Sequence, residues 1–338
     1  MPDSTALQLD PEQFLASCWQ RRAMLIPAAV PHFTPPISAA ELAGLALEED
    51  VESRIIRQHA DTWTVQHGPF TTADFATDTT FSLLVQAVDQ HVEAVDALCR
   101  MVTFIPRWRI DDVMVSYGND GASVGPHYDN YDVFLLQGEG EKLWRLGPHC
   151  DDSSPTLPLE ELRILAEFDT QQEFLLGPGD MLYVPPGLAH WGIARGESTT
   201  FSIGFRAPRL NDMLSRWVDD VLEHSGHDEF FVDAGRSVTQ RSGEICSQDL
   251  DSALAQIQAH LAASPNTYRW FGELVTEPRD DGIVPQYDVQ EALDKLCAQP
   301  SALALELAAK IAWTAYEGAP LVFASGESMP LPAELLPY

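Results

Sequence analysis

Basic side chains are scarce in this sequence: Lys and Arg number 20 against 51 Asp and Glu, for a formal net charge of −31 over 338 residues. Binding to nucleic-acid phosphate rests on clustered cations, so the composition argues against that function class. A surface this acidic attracts a basic partner instead, such as a histone-like or ribosomal protein, unless the charge serves only solubility or salt adaptation. Cysteine is sparse as well. Cys18, Cys99, Cys150, Cys246 and Cys297 are odd in number and widely scattered, with no Cys-x-x-Cys. That excludes a disulfide framework or zinc knuckle as the basis of the fold and fits free thiols in a reducing compartment. No run approaches the ~18 apolar residues that a membrane span needs. The segment Met1 to Pro11 carries acidic residues and no apolar core, unlike a signal peptide. A cytosolic location is the expectation. What the chain does have is 45% hydrophobic residues, enough for a folded globular protein.

Three stretches of different character follow one another. Up to about Arg100 helical and short strand patterns mix: Pro11-Glu12-Gln13-Phe14-Leu15 reads as a helix start, and Phe81 to Leu98 as a longer amphipathic helix. From Trp108 the chain turns to β. Ile110–Tyr117, Val133–Leu136, Lys142–Leu146, Glu173–Leu176, Met181–Val184 and Thr199–Arg206 are short, rich in β-branched or aromatic residues, and separated by Gly, Pro, Asn or Asp. That is the pattern of a jelly-roll barrel, whose interior can hold a metal and a small ligand. After Ala207-Pro208 the periodicity becomes helical, with Leu210, Met213, Leu214, Trp217, Val218, Val221 and Leu222 on one face, then a second helix through Leu250, Leu254, Ile257 and Leu261. Two short helices cannot bury both faces alone, so residues 209–265 are read as a dimerisation region. Residues 266–338 suggest helices at Val289–Cys297 and Leu303–Tyr316 and a hairpin at Leu321–Ala324 with Gly326 in its turn, a winged-helix-like layout. This last region has four basic residues against eleven acidic ones, so it is not expected to read DNA.

The chemistry concentrates in residues 1–208. In Gly125-Pro126-His127-Tyr128-Asp129, His127 and Asp129 stand two apart, and on an extended strand such residues point to one side. His190 ends a second segment, Gly179-Asp180, an apolar strand, then Pro185-Pro186-Gly187. Two histidines and one carboxylate form the facial ligand set of non-haem Fe(II) oxygenases and leave coordination positions open. A 2-oxo acid cosubstrate would need a buried cation for its far carboxylate. Lys142 shares strand parity with Trp144 and Leu146 while Arg145 points the other way, so one of these two cations faces inward and the other outward.

Trp108 to Tyr117, Val124 to Gly138 and Ser202 to Pro208 together resemble the bacterial JmjC-type ribosomal oxygenases, Fe(II)- and 2-oxoglutarate-dependent protein hydroxylases of the cupin superfamily. The resemblance is closest from about Phe14 to Pro208 and consistent in layout beyond. It implies a double-stranded β-helix catalytic domain, then a helical dimerisation region and a winged-helix-like C-terminal domain. His127, Asp129 and His190 would carry Fe(II), and Lys142 would salt-bridge the distal carboxylate of 2-oxoglutarate, with Ser202 a further candidate for the same carboxylate. The implied reaction uses O2 to hydroxylate an arginine of the sixteenth protein of the large ribosomal subunit. Asp120, in Gly118-Asn119-Asp120-Gly121, is a candidate partner for the substrate guanidinium. One departure is Lys142 itself: bacterial arginine hydroxylases often carry Arg there, and animal relatives that hydroxylate histidine carry Lys. The competing expectations are a JmjC demethylase, a small-molecule cupin enzyme, and a non-catalytic cupin binding module.

Overall fold

The computed structural model describes residues 7–59, 62–76, 79–224, 229–238, 241, 243–263, 268–278, 307–315 and 320–330. The chain divides into two compact units, one of Met1–Ala207 with Gln286–Ala308, the other of Pro208–Pro285 with Ala309–Tyr338.

The first unit holds helices α1 (Pro11–Ser17), α2 (Ala39–Leu45), α3 (Thr72–Phe75) and α4 (Glu93–Asp96), with strands β1 (Met24–Ile26), β2 (Ser53–His59), β3 (Thr62–His67), β4 (Ser82–Val85), β5 (Ile110–Gly118), β6 (Val133–Gln137), β7 (Glu141–His149), β8 (Gln172–Leu176), β9 (Met181–Val184), β10 (Leu188–Arg195) and β11 (Ser198–Phe205). Eight strands form one antiparallel sheet in the order β1-β9-β6-β11-β5-β4-β2-β3, and β10-β7-β8 form a second. The core lies in two layers. Val133, Leu135, Leu182 and Val184 of the large sheet meet Trp144, Leu146 and Leu176 of the small one in the barrel interior. The outer face of the large sheet (Val113, Val115, Phe134, Leu136, Tyr183, Phe201, Ile203) is covered by α1, α2 and the segment 88–105 through Phe14, Leu42, Val88, Val95 and Val102. Strands β4, β6, β9 and β11 are buried on both faces; β4, β6 and β9 are mostly apolar, while β11 carries buried Ser and Thr residues.

That double burial corrects one expectation. Phe81 to Leu98 is not a helix: it opens with β4, paired with β2 and β5, and continues as a 3-10 turn at Val88–Gln90 and the one-turn α4. The apolar spacing at Leu83, Leu84, Val85 and Val88 satisfies a helical face as well as a two-sided strand, and periodicity alone cannot separate the two.

Asp132 ties four parts of this unit together. Its carboxylate accepts from Tyr183 Oη (2.6 Å, β9), Gln20 Nε2 (3.0 Å, after α1) and Arg109 Nη2 (3.4 Å, before β5), and it is fully buried. Burial pushes its pKa up, and the hydrogen bonds from Tyr183 and Gln20 and the Arg109 charge offset that only in part.

In the second unit α5 (Leu210–His224), α6 (Ser247–Ala263) and α7 (Arg269–Thr276) accompany a three-stranded sheet of β12 (Ile311–Thr314), β13 (Leu321–Ala324) and β14 (Glu327–Pro330). Thr276 Oγ1 of α7 accepts from the Gly326 amide in the β13–β14 turn (3.2 Å), and Ser328 Oγ donates to Glu273 (2.7 Å). The hairpin with Gly326 in its turn is present; of the helix expected over Leu303–Tyr316, Leu303–Glu306 and Tyr316 lie outside the described residues, and the described part is not helical: Ile311–Thr314 alternates exposed and half-buried residues as β12, paired with β13. An edge strand with a small apolar face resembles a helix end in sequence. The expected helix at Val289–Cys297 lies outside the described residues. Leu214, Leu222, Leu250, Leu254 and Ile257 on α5 and α6 are all more than half exposed. Among the described residues no helix is long and apolar enough to cross a membrane.

Replacing Asp132 with Ala leaves Arg109, Gln20 and Tyr183 without their shared acceptor. It should lower the stability of the catalytic unit by roughly 3 kcal/mol, the usual cost of breaking one side of a buried ion pair. Urea unfolding followed by tyrosine and tryptophan fluorescence measures it.

Candidate metal centre

His127 and His190 are cross-strand partners. The His127 amide donates to the His190 carbonyl (3.0 Å) and the His190 amide donates back to the His127 carbonyl (2.8 Å), an isolated antiparallel bridge in which the two side chains fall on one side. Their rings are 4.3 Å apart, centre to centre. Asp129 is anchored through its own carbonyl, which accepts from the Gly187 amide at 2.7 Å. Gly187 adopts φ +76°, a left-handed turn conformation open to glycine, and this is how Pro185-Pro186-Gly187 turns its amide towards Asp129. The outcome is that Asp129 Oδ2 stands 3.5 Å from His190 Nε2, and one ligand atom from each of the three residues lies within 4.8 Å of the others.

Each imidazole is held in one tautomer. Nδ1 of His127 is 2.9 Å from the Gly125 carbonyl, and Nδ1 of His190 is 3.0 Å from the Leu188 carbonyl. A carbonyl only accepts, so the ring proton sits on Nδ1 and the Nε2 lone pair is free. His190 is 2% exposed, and burial, reinforced by neighbouring His127, pushes its pKa down to about 4, so it is neutral at physiological pH. Two imidazole nitrogens and one carboxylate on a common side fit a divalent metal that keeps positions open to other ligands. A second cluster, Asp89, Asp96 and Cys99, also brings its ligand atoms together. Its groups are otherwise engaged: the Val113 amide donates to Asp89, Arg107 pairs with Asp96, and burial pushes the Cys99 thiol up to about 12, away from the thiolate a metal needs.

Register settles which cation faces inward. His190, Gly192 and Ala194 of β10 lie opposite Leu146, Trp144 and Lys142 of β7, so all six share the interior face, while Arg145 points out and pairs with Glu173 at 2.7 Å. Lys142 Nζ is 3.3 Å from Thr200 Oγ1 of β11 and 5.0 Å from the centre of the Trp144 ring. No carboxylate among the described residues pairs with it, and burial pushes its pKa down to about 8. Gly192 seats it: a Cβ there would come within 2.9 Å of Lys142 Cε and 2.8 Å of Trp144 Cζ3 and Cη2. Thr200, unmentioned in the sequence reading, has the same parity as Ser202 on β11, and that parity was the available signal. Ser202 is buried two residues along, beside Met114 and Leu135. Asp120 is placed elsewhere: exposed, with Oδ1 accepting from the Gly196 amide of the β10–β11 turn at 2.8 Å.

A JmjC domain model matches residues 97–213, the span that holds the three clustered residues and Lys142. The ribosomal protein uL16 3-hydroxylase of Escherichia coli K12 is 36% identical over 301 residues, covering 86% of this chain and 79% of that protein. The chain belongs to the JmjC-domain ribosomal oxygenases. A probable ribosomal oxygenase of Haemophilus influenzae is 37% identical over 267 residues, 76% of this chain and 65% of that one. Among solved structures of this family, Escherichia coli YcfD in complex with cobalt and 2-oxoglutarate matches with a TM-score of 0.80 at 33% identity, over 97% of this chain and 87% of that one.

In this ribosomal oxygenase, His127→Ala and Asp129→Ala should each weaken Co(II) binding by at least about a hundredfold, since loss of a ligand outweighs the 10–100-fold typical of its supporting groups. Calorimetric titration and the Co(II) visible spectrum read it directly.

Proposed function

We propose that this ribosomal oxygenase is an Fe(II)- and 2-oxoglutarate-dependent protein hydroxylase acting on a basic ribosomal protein. The observation that carries the reading is the pairing of the His127, Asp129 and His190 cluster with a buried cation, Lys142, that has no anion among the described residues. Fe(II), when bound, supplies the redox chemistry that couples decarboxylation of 2-oxoglutarate by O2, giving succinate and CO2, to insertion of one oxygen atom into a substrate C–H bond.

The chain's own residues supply the rest. His127 and His190 would hold the metal through Nε2 and Asp129 through a carboxylate oxygen, a set that leaves room for a cosubstrate and O2. Lys142 takes the distal carboxylate, with the hydroxyls of Thr200 and Ser202 on the facing strand to complete its hydrogen bonds. Leu135, Leu146, Leu176, Leu182 and Val184 line the interior with apolar surface and keep bulk water from the reacting centre. The acidic exterior favours approach of a basic protein.

For the substrate we take the large-subunit protein uL16, on the name of the Escherichia coli relative and the charge complementarity, and within it an arginine, as the family resemblance of the sequence implies. Lys142 in place of Arg supports a histidine target as the second reading. A homodimer is proposed through the exposed leucines of α5 and α6, a cytoplasmic location follows from a ribosomal substrate, and the acidic second unit is proposed not to bind DNA.

Two experiments test the reading. Intact mass spectrometry of large-subunit proteins from host cells with and without this gene should show one protein lighter by one oxygen atom on deletion; fragmentation distinguishes arginine from histidine. Loss of a methyl group from substrate would establish a demethylase instead, and identical masses would remove the ribosome as target. The second is pH dependence. Lys142 binds an anion only when protonated, so 2-oxoglutarate affinity should be full below pH about 8 and fall as pH rises through it. The fall approaches about tenfold per pH unit. Lys142→Arg keeps the charge and should flatten the profile. A slope that survives in the Arg variant places the titrating group elsewhere.

A further inference from the structure

We propose that Trp144 is a cosubstrate-positioning residue: its indole N–H donates to a carboxylate oxygen of the dicarboxylate that Lys142 holds. The inference rests on the cosubstrate reading above. Trp144 is 5% exposed, and its Nε1 is buried without a hydrogen-bond acceptor among the described residues. Buried N–H groups in folded proteins nearly always find an acceptor, because an unmet one has given up water for nothing. The surroundings say what is missing. Lys142 Nζ lies 5.0 Å from the Trp144 ring centre, and the His190 ring is 5.9 Å away. Lys142 in turn has one hydroxyl, Thr200, and no anion.

Two donors side by side on one strand face, an ammonium without an anion and an indole N–H without an acceptor among the described residues, are therefore both incompletely met. One carboxylate, with two oxygens and about four lone-pair sites, answers both. The indole donates and cannot accept, so with Lys142 it favours an anion over an amide or amine group of similar shape. Gly192 is what lets both donors occupy that face. A Cβ there would stand 2.8 Å from Trp144 Cζ3 and Cη2 and 2.9 Å from Lys142 Cε, so any side chain would displace both at once. Trp144 and Lys142 are set by one gap in β10.

The test uses the full chain loaded with Zn(II), which is redox-silent and diamagnetic, and labelled with ¹⁵N at tryptophan. Eight indole signals are expected, one for each Trp. The Trp144 signal is assigned by its absence from Trp144→Phe and, independently, by broadening when Mn(II) replaces Zn(II). Addition of 2-oxoglutarate should move that N–H resonance downfield. Trp144→Phe, which keeps the ring stack and removes the donor, should raise the 2-oxoglutarate Kd about tenfold, the usual weight of a hydrogen bond to a charged group, while Zn(II) affinity stays as in the wild type. Binding of 2-oxoglutarate with an unmoved Trp144 signal and an unchanged Kd in the variant would overturn the assignment and leave the cosubstrate reading standing. No 2-oxoglutarate binding by the Zn(II)-loaded wild type would overturn both.

Discussion

The reciprocal backbone hydrogen bonds between His127 and His190 are the constraint on which the site depends. They join a loop residue to β10, one strand of the small sheet, and put both imidazoles on one side with no side-chain interaction required. Around that bridge, register carries the arrangement outward: His190 opposite Leu146 places Trp144 and Lys142 on the interior face, and Lys142 then meets Thr200 across the barrel. A slip of one residue in the β7–β10 pairing would turn Lys142 out and Arg145 in. The bulge between Leu188 and His190 absorbs the one irregularity in the pairing, beside the turn whose Gly187 amide holds Asp129.

Charge is distributed in opposite senses outside and inside. The chain as a whole carries −31, yet the interior face beside the clustered histidines presents a cation with no carboxylate partner among the described residues. A buried ammonium alone is costly, and the depressed pKa of Lys142 expresses that cost. An anionic ligand relieves it, so in the JmjC-domain reading the pocket favours a carboxylate even before specific hydrogen bonds are counted.

Much of this was legible in the sequence, for physical reasons that differ by element. Strand parity relates Lys142 to Trp144, and the turn residues around β6, β8 and β9 mark their ends, so most barrel strands from Ile110 onward could be placed; His127 and Asp129, expected on a strand, lie in a loop with a single bridge residue. The family resemblance at Val124 to Gly138 led to the JmjC-domain oxygenases. Strand β10 was expected only as the strand just beyond the Pro185-Pro186-Gly187 turn that holds His190; its extent to Arg195 was not, because Leu188, Trp191 and Ile193 on its half-buried side are apolar and give no polar alternation. Two-sided burial made β4 resemble a helix. Thr200 was passed over because a threonine in an apolar strand is ordinarily just a β-former; only the cross-barrel contact with Lys142 distinguishes it. Gly192 left no signal at all, since what matters there is a missing side chain facing two large ones on another strand.

Each histidine is oriented by the carbonyl two residues before it in its own chain segment, Gly125 for His127 and Leu188 for His190. The orienting group is main chain, which substitution does not remove, and it travels with the ligand in a three-residue unit. The pose of each imidazole is therefore self-contained. Distant parts of the barrel can drift in sequence, repack or lengthen their loops without re-aiming either ring, provided the two units stay paired. A fold with this property can change what it admits at its mouth far faster than it changes the centre it encloses.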